Sequence, residues 1–149
     1  MLLWRISNHR SLDGRGGLLA SGRWHTRGKA VVYLAETAAG ALLEALVHLE
    51  VDYNDLPHTY GLLKAEAADS LRTQKLDVNN LPENWVKDQT TTRTAGDEWL
   101  ATGQTAFLRV PSAIVPETSN ILLNPEHPDA GKIRLVWHRP YPWDRRLLS

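Results

Sequence analysis

Ser21-Gly-Arg-Trp-His-Thr-Arg-Gly-Lys-Ala-Val-Val-Tyr-Leu-Ala-Glu-Thr37 is the stretch around which the rest of the chain is organised. Its composition predicts a polar loop bounded by glycines, then an apolar strand over Ala30 to Ala35, then a helix that begins at Thr37. Within seven residues of the loop, Trp24 is surrounded by four cationic or titratable side chains: Arg23, His25, Arg27 and Lys29. Guanidinium groups bind phosphate and an aromatic face stacks on a base, so the loop suits a polyanion with flat rings. The same composition also fits a solvated basic loop whose Trp24 side chain turns into the core.

Length and composition favour one soluble domain. A chain of 149 residues is large enough to bury roughly two thirds of its unfolded surface around a single core. The absence of cysteine excludes disulfides and thiolate metal sites, and it fits a reducing compartment. No apolar run approaches the ~20 residues of a membrane span, and the amino terminus lacks the pattern of a signal peptide. We therefore expect a single cytoplasmic domain over residues 1–149 that binds no membrane.

The charge is balanced overall but unevenly distributed. Residues 1–29 carry six Lys and Arg against one Asp, residues 30–130 carry six against fifteen acidic residues, and residues 131–149 carry five against one. If the two basic ends meet in the fold, they form one positive surface suited to phosphate, nucleic acid or an acidic partner protein. A net charge of zero argues against a general nucleic-acid binder.

The remaining periodicity predicts short strands and few helices. Strands are expected over residues 2–6, 30–35, 60–67, 105–110, 120–123 and 132–136. One helix is expected from an N-cap at Thr37 to about Glu50, and a shorter one over about Ala95 to Thr102 that Gly103 ends. Residues 7–22 are expected to form a glycine-containing loop that is flexible enough to fold over a ligand. Residues 69–86 contain turn signals and are expected to be external. Because strands and helices do not alternate regularly, the pattern predicts an α+β fold.

The helix after Thr37 carries a carboxylate in an unusual setting. Its apolar residues form one broad predicted face: Ala38, Ala39, Leu42, Leu43, Leu46, Val47 and Leu49. Glu44 and His48 fall on the opposite side, next to the small residues Ala41 and Ala45. Small residues permit close approach, which suits a cleft; a plain surface pair of Glu44 and His48, worth about 0.5 kcal/mol or less, explains the pattern equally well.

Several common site classes are absent from the sequence. The six histidines are scattered, without the short spacings of a zinc site, so no metal is expected. The glycines match neither a P-loop nor a dinucleotide-binding fingerprint, and no nucleophile elbow is present. These absences disfavour a P-loop ATPase, a Rossmann dehydrogenase and an α/β-hydrolase.

Six separate stretches, in order, carry a resemblance to a known family. They are Leu3-Trp-Arg-Ile-Ser, Gly22-Arg-Trp-His-Thr-Arg-Gly, Val31-Val-Tyr-Leu-Ala-Glu, Ala41-Leu-Leu-Glu-Ala-Leu-Val-His-Leu, Val110-Pro-Ser-Ala and Asn120-Ile-Leu-Leu-Asn-Pro-Glu-His-Pro. Together they resemble the RES domain, which is named for its arginine, glutamate and serine. Residues 69–103 add little to this match.

The resemblance implies both a fold and an activity. The fold is ADP-ribosyltransferase-like, with two small sheets and a few helices forming a cleft for NAD. The activity is that of a toxin from a bacterial toxin–antitoxin pair that cleaves the nicotinamide–ribose bond of NAD by hydrolysis or phosphorolysis; the alternative is transfer of ADP-ribose to a protein. NAD is then the substrate and no further cofactor is implied. The implied partner is an Xre-type antitoxin, which binds DNA in place of the toxin, with toxin homodimers inside the complex.

The resemblance also assigns roles to single residues. It implies that Arg23, Tyr33 and Glu44 are catalytic, and the NAD-binding positions that it implies are Arg5, Trp24, Ser112 and Asn124. Glu44 would stabilise the positive charge that develops on the ribose, and an arginine fork would hold the diphosphate. From the residues alone, Tyr33 fits a core position, and Ser112 and Asn124 fit turns. A partner-binding module without catalytic activity is a further alternative, which the presence of Arg23, Tyr33 and Glu44 disfavours.

Overall fold

A computed structural model describes residues 1–49 and 52–148 of the chain. Within them lie seven strands, β1 (Leu2–Ser7), β2 (Val32–Ala35), β3 (Gly61–Ala67), β4 (Thr73–Lys75), β5 (Phe107–Pro111), β6 (Ser119–Leu123) and β7 (Ile133–Pro140). The three α-helices are α1 (Arg15–Leu19), α2 (Ala38–His48) and α3 (Gln89–Thr102). The predicted α+β class is therefore confirmed. None of these helices is long and apolar enough to span a membrane.

The strands form one sheet in the order β4-β5-β6-β2-β1-β3-β7, antiparallel except for the parallel pair of β4 and β5. The expectation of two small sheets is corrected in this respect. The two halves nevertheless meet through a single residue pair, Trp4 of β1 opposite Ala35 of β2. By contrast, β1 and β3 pair along their whole length. The sheet therefore divides at the middle into two well-paired halves that a short junction joins.

The two faces of the sheet bury different clusters. Alternation along β2 sends Val32 and Leu34 to one face and Tyr33 and Ala35 to the other. The first face packs Val32 and Leu34 with apolar residues such as Phe107 of β5. The second face is covered by α3, through a cluster that Trp99 joins, and by α2, through a cluster that includes Ala35 and Ala41. Tyr33 therefore lies on the face that carries both long helices.

The helix after β2 begins where the sequence predicts. Thr37 Oγ1 accepts a hydrogen bond from the Gly40 N–H at 2.9 Å, as an N-cap side chain does. The helix ends at His48, and its predicted end near Glu50 lies outside the described residues. The prediction of one broad apolar face is wrong, because Leu43 and Val47 are 37 % and 50 % exposed. Ala41, placed by the prediction on the polar side, is instead the most buried residue of α2, since its small side chain lets the helix approach the sheet.

The helix α3 begins at Gln89 rather than at Ala95, so the threonine-rich run that precedes Ala95 is helical. Asp88 is its N-cap and accepts a hydrogen bond from the Thr90 N–H at 2.9 Å. Gly103 ends the helix in the left-handed conformation, as predicted. Two predicted loops also contain regular structure, since α1 lies within residues 7–22 and β4 within residues 69–86. Thr92 and Arg93, near the start of α3, donate hydrogen bonds to the backbone at Arg23 and Gly22.

Candidate active site

The Glu44 carboxylate is held from one side by two donors of the sheet. Glu44 Oε1 accepts a hydrogen bond from Ser112 Oγ and another from Asn120 Nδ2, both at 2.8 Å. Asn120 lies on β6 and Ser112 follows directly after β5, so neighbouring antiparallel strands supply the two donors. Among the described residues Glu44 Oε2 accepts no hydrogen bond. The carboxylate is thus fixed through one oxygen and offers the other to a ligand.

Ser112 is both a turn residue and a partner of Glu44. Its buried hydroxyl oxygen accepts hydrogen bonds from the N–H groups of Ile114 at 3.2 Å and Val115 at 3.3 Å. Because the oxygen is used as an acceptor by the turn, its single proton is free to be donated to Glu44. Ser112 therefore has the turn role and also anchors Glu44, and its direct contact with NAD stays a prediction.

Arg23 lies near Glu44 and is oriented by backbone carbonyls. Its Nη1 donates to Val86 O at 3.0 Å and to Trp85 O at 3.3 Å. Partial burial lowers the pKa of the Arg23 guanidinium, and the nearby charge of Glu44 acts in the opposite direction. Within the described chain, no carboxylate forms an ion pair with Arg23. The guanidinium is therefore held in place by neutral groups and keeps its positive charge for a ligand.

The hydroxyl of Tyr33 belongs to a buried hydrogen-bonded network. It lies 2.7 Å from His25 Nδ1 and accepts a hydrogen bond from the Trp24 N–H at 3.1 Å. His25 Nε2 is 2.9 Å from Ala20 O, an acceptor, so Nε2 carries the proton and Nδ1 accepts from Tyr33. Burial raises the pKa of Tyr33 and lowers the pKa of His25. Both groups are thus neutral, and the hydroxyl of Tyr33 is engaged within this network.

The side chain of Trp24 is part of the core. It is 3 % exposed, and its ring centroid lies 6.1 Å from that of Trp85. This burial favours a structural role for Trp24, and its contact with NAD stays an untested prediction. Of the two interpretations that the sequence allowed for this loop, the one that turns Trp24 into the core is right.

Arg5 and Asn124 are not brought to Glu44. Arg5 lies beside α1, where a Cβ atom on Gly16 would be 3.8 Å from its Nη2. Burial lowers the pKa of Arg5, and Asp13 is the main opposing charge. In the described residues no hydrogen bond or ion pair joins Arg5 to the other predicted site residues. The place of Arg5 in the NAD site stays a prediction.

Asn124 stabilises a turn at the far end of β6. Its Oδ1 accepts a hydrogen bond from the Glu126 N–H at 3.0 Å, and its own N–H donates to Ala106 O at 2.8 Å. Four residues along a strand separate it from Asn120, which is about 13 Å. Asn124 therefore has the turn role, and Asn120 is the asparagine of this segment that reaches Glu44.

The helix α3 holds the residues Gly22–Thr26, which we call the Arg23 loop. Thr92 Oγ1 donates to Arg23 O at 2.6 Å, and Arg93 Nε donates to Gly22 O at 2.8 Å. One turn later, the Asp97 carboxylate accepts from the N–H and the hydroxyl of Thr26 at 2.9 and 2.6 Å. Side chains on one face of α3, between Thr92 and Asp97, therefore hold the loop from Gly22 to Thr26.

The approach of α3 to the loop requires a glycine. A Cβ atom built on Gly96 would lie 1.6 Å from Trp24 O, which is closer than any two such atoms can come. Sequence reasoning missed this helix face because threonine has low helix propensity and its run resembled a loop. The signals available were Asp88 and Gly103, which together mark both ends of the whole helix.

Other candidate sites lie elsewhere. Two open grooves of about 730 and 500 Å³ are lined mainly by residues 139–143 and by residues 123–133, respectively, and neither includes Glu44 or Arg23. Across residues 1–49 and 52–148, no three His, Asp or Glu side chains are grouped so as to hold a metal ion. We therefore take the anchored Glu44 carboxylate, with the Arg23 guanidinium near it, as the candidate active site.

Comparison with known proteins assigns the family. The RES domain model matches residues 2–144. The chain is 45 % identical over 135 residues to a protein named Toxin Res from Pseudomonas putida, covering 91 % of this chain and 92 % of the relative. It is 35 % identical over 155 residues to a protein named Prs ADP-ribosylating toxin from Sphingobium sp., covering 97 % and 95 %. This chain therefore belongs to the RES domain family, and the resemblance found in the sequence is confirmed.

A solved structure supports the fold. The chain is similar, with a TM-score of 0.75, to a chain in the crystal structure of the M. tuberculosis MbcT-MbcA toxin–antitoxin complex. The similarity covers 94 % of this chain and 83 % of the other, at 16 % sequence identity. At that identity the likeness concerns the fold alone.

Proposed function

We propose that this protein is the toxin of a bacterial toxin–antitoxin pair and that it degrades NAD by cleaving the nicotinamide–ribose bond. The observation that carries the proposal is the Glu44 carboxylate, which is fixed through Oε1, open at Oε2 and close to the charge of Arg23. The names of the relatives, Toxin Res and Prs ADP-ribosylating toxin, support a toxin that acts on an ADP-ribose donor.

The role of Glu44 follows from the bond that breaks. When the C1′–N bond of nicotinamide riboside opens, its electron pair leaves with nicotinamide, and the ribose acquires oxocarbenium character. A nearby carboxylate stabilises that positive charge, and Glu44 Oε2 accepts hydrogen bonds from ribose hydroxyls that strengthen as the charge grows. Ser112 and Asn120 keep the carboxylate in place, so little reorganisation is needed when the bond breaks.

Arg23 and Tyr33 position the substrate. The free nitrogen atoms of the Arg23 guanidinium donate to the diphosphate, which lies next to the reacting ribose in NAD. The Tyr33 ring stacks on the nicotinamide and restricts its rotation. Restricting the reacting geometry in this way lowers the barrier by several kcal/mol.

The acceptor of the ADP-ribose group defines the reaction. Water gives hydrolysis, phosphate gives phosphorolysis, and a protein side chain gives ADP-ribosylation. The second candidate, a protein ADP-ribosyltransferase, is supported by the name of the Sphingobium relative. The two candidates use the same carboxylate and differ in what reaches C1′ after nicotinamide leaves.

The proposed setting is the cytoplasm, with an antitoxin as partner. The fold likeness to a chain from a toxin–antitoxin complex supports a protein partner for this chain. We assign that partner to the Xre type and the toxin to a homodimer within the complex, as the family resemblance implies.

The test is nicotinamide release from NAD by the purified protein, with and without phosphate, followed by mass analysis of the ribose product. Glu44→Gln keeps an acceptor for Ser112 and Asn120 but removes the negative charge. We expect it to be about 100-fold slower than the wild type, a loss of ~2.7 kcal/mol of transition-state stabilisation. Glu98→Gln, an exposed change on α3, is the matched control and should leave the rate unchanged.

The products separate the candidates. ADP-ribose indicates hydrolysis, its phosphorylated form indicates phosphorolysis, and label on an added protein indicates transfer. If the wild type releases no nicotinamide, with or without candidate acceptor proteins, both enzyme proposals are wrong and a partner-binding module without catalytic activity takes their place.

A further inference from the structure

Two arginines from distant parts of the chain lie together beside the proposed NAD site. Arg93 of α3 donates through Nε to Gly22 O, the residue before Arg23, and Thr92 of the same turn donates to Arg23 O. The Arg93 charge also opposes protonation of Arg23, since it contributes to the lowered pKa of that guanidinium. The Arg93 charge therefore acts on Arg23, and the same turn of α3 is hydrogen-bonded to the backbone at Gly22 and Arg23.

Neither guanidinium forms an ion pair with a carboxylate of the described residues, although the charge of Glu44 acts on Arg23. Arg23 donates to Val86 O and Trp85 O, and Arg93 donates to Gly22 O and, through Nη2, to Gln89 Oε1 at 2.8 Å. Across the described residues, no ion pair within 4.0 Å involves either arginine. Asp97, the acidic residue of the same helix face, is engaged through both oxygens by Thr26. Two positive charges are thus held in place by neutral acceptors, and each keeps at least one nitrogen that bonds to no other described residue.

Holding two like charges together is unfavourable unless an anion lies between them. Both arginines are only partly buried, so a ligand reaches them from solvent. Two guanidinium groups present several N–H donors, and this number matches the oxygen atoms of a diphosphate better than those of a single carboxylate.

We propose that Arg93 is a substrate-binding residue that forms, with Arg23, a two-arginine clamp for a diphosphate group. This inference rests on the proposed function in one respect, namely that the diphosphate is that of NAD. The charges of Glu44 and of Arg93 both act on the Arg23 guanidinium. In NAD the diphosphate is attached to the ribose that Glu44 would contact, so Arg23 is close enough to Glu44 to take the phosphate next to that ribose. Arg93 then takes the phosphate on the adenosine side.

The contacts of α3 make the clamp rigid. Thr92 and Asp97 fix the Arg23 loop, and Gly96 lets the helix touch the loop backbone. The relative position of Arg23 and Arg93 is therefore set before a ligand arrives, which reduces the entropy cost of binding.

The test is isothermal titration of the full-length protein with inorganic pyrophosphate and, separately, with ADP-ribose. We expect Arg93→Gln to weaken the binding of both ligands at least tenfold and Arg93→Lys, which keeps the charge, to recover part of the loss. In NAD cleavage, Arg93→Gln should raise KM by a similar factor and change kcat less than about threefold. Arg72→Gln, an exposed arginine outside the site, controls for net charge and should bind like the wild type.

A second control separates ligand binding from support of the loop. Thr92→Val removes a hydrogen bond from α3 to the loop but no charge. If Thr92→Val weakens pyrophosphate binding as strongly as Arg93→Gln, at equal thermal stability, Arg93 only positions the loop and the clamp is wrong. If Arg93→Gln binds pyrophosphate with the affinity of the wild type, the clamp is also wrong.

The outcomes distinguish the clamp from the proposed function. Pyrophosphate binding that depends on Arg93, in a protein that does not cleave NAD, supports the clamp and excludes the NAD reaction. If Arg93→Gln cleaves NAD with the KM of the wild type, the proposed function is supported and the clamp is excluded.

Discussion

The side-chain amide of Asn120 donates a hydrogen bond of 2.8 Å to Glu44 Oε1, across 76 positions of sequence. This contact joins the middle of the sheet to α2 and fixes the carboxylate that the proposed reaction needs. Asn120→Ala removes one anchor without disturbing a turn, and we expect a kcat for NAD cleavage about tenfold lower with little change in stability. Steady-state kinetics and thermal unfolding measure the two effects. A wild-type kcat in Asn120→Ala would show that Glu44 needs no second anchor.

Ser112→Ala should have a mixed effect. The change removes the second donor to Glu44 and also the acceptor for the Ile114 and Val115 N–H groups. We expect a similar fall in kcat and, in addition, a loss of about 1 kcal/mol in the free energy of unfolding. Because Ser112 and Asn120 bind the same oxygen, the double variant should lose less than the sum of the two single losses in activation free energy. Fully additive losses would contradict a shared anchor.

Tyr33→Phe tests the buried network of the Arg23 loop. The change leaves His25 Nδ1 and the Trp24 N–H without their partner, so we expect a loss of about 1–3 kcal/mol in the free energy of unfolding, measured with urea. Tyr141→Phe is the control, since its hydroxyl forms no hydrogen bond among the described residues. The phenylalanine ring still stacks, so Tyr33→Phe should retain more NAD cleavage than Tyr33→Ala. Equal activities of the two variants would argue against stacking.

Gly96→Ala tests the contact between α3 and the loop. A methyl group there meets Trp24 O, so α3 and the loop must separate, and we expect a loss of about 3 kcal/mol or more in stability. Gly131→Ala, where no atom lies within 4 Å of the new Cβ, should change stability by about 0.5 kcal/mol or less. If both variants unfold at the wild-type denaturant concentration, the close approach of α3 is not present in solution.

We expect the titration of His25 to make the free energy of unfolding depend on pH. Burial lowers its pKa below the ordinary value of 6.5, and the surrounding groups are Tyr33, the carbonyls of Ala20 and Gly17, and the charges of Asp97 and Arg93. The unfolded chain therefore binds a proton at a higher pH than the folded chain does. As the pH falls below about 6.5, protonation favours unfolding, so stability should decrease until the pH passes the lower folded-state pKa.

The measurement is the free energy of unfolding as a function of pH in the wild type and in His25→Gln. The variant should be less stable at neutral pH but lose less stability on acidification, because its side chain does not titrate. Parallel curves for the two proteins would show that His25 does not contribute to the pH dependence.

Local signals predicted the elements that carry the site. Thr37 marked the start of α2, and the apolar run before it gave β2, so Glu44 and Tyr33 were placed on their elements correctly. The family resemblance added Arg23 and Ser112, which the structure brings near Glu44. Their catalytic and binding roles stay predictions until the kinetic measurements are made.

Local sequence patterns do not predict contacts between segments that are distant along the chain. Asn120 was overlooked because nothing in its strand indicates that a helix 76 positions earlier supplies an acceptor. Arg93 was overlooked because the helix around it was predicted to begin after it. Trp24 was ambiguous, since the same residue suits a ligand platform or a core, and only the packing against Trp85 decides between them. The motif positions Arg5 and Asn124 form no contact with Glu44 among the described residues, and their roles in NAD binding stay predictions.

The dependence of the Arg23 loop on α3 has a consequence for the synthesis of the protein. Ribosomes make the chain from its amino terminus, so Arg23, Tyr33 and Glu44 emerge long before α3, Ser112 and Asn120. Until these later residues arrive, the loop lacks its support and the carboxylate lacks its anchors. Under the proposed function, a nascent or prematurely terminated chain cannot consume NAD. Under the proposed function, a cell that makes this chain is exposed to its activity only after translation has passed Asn120.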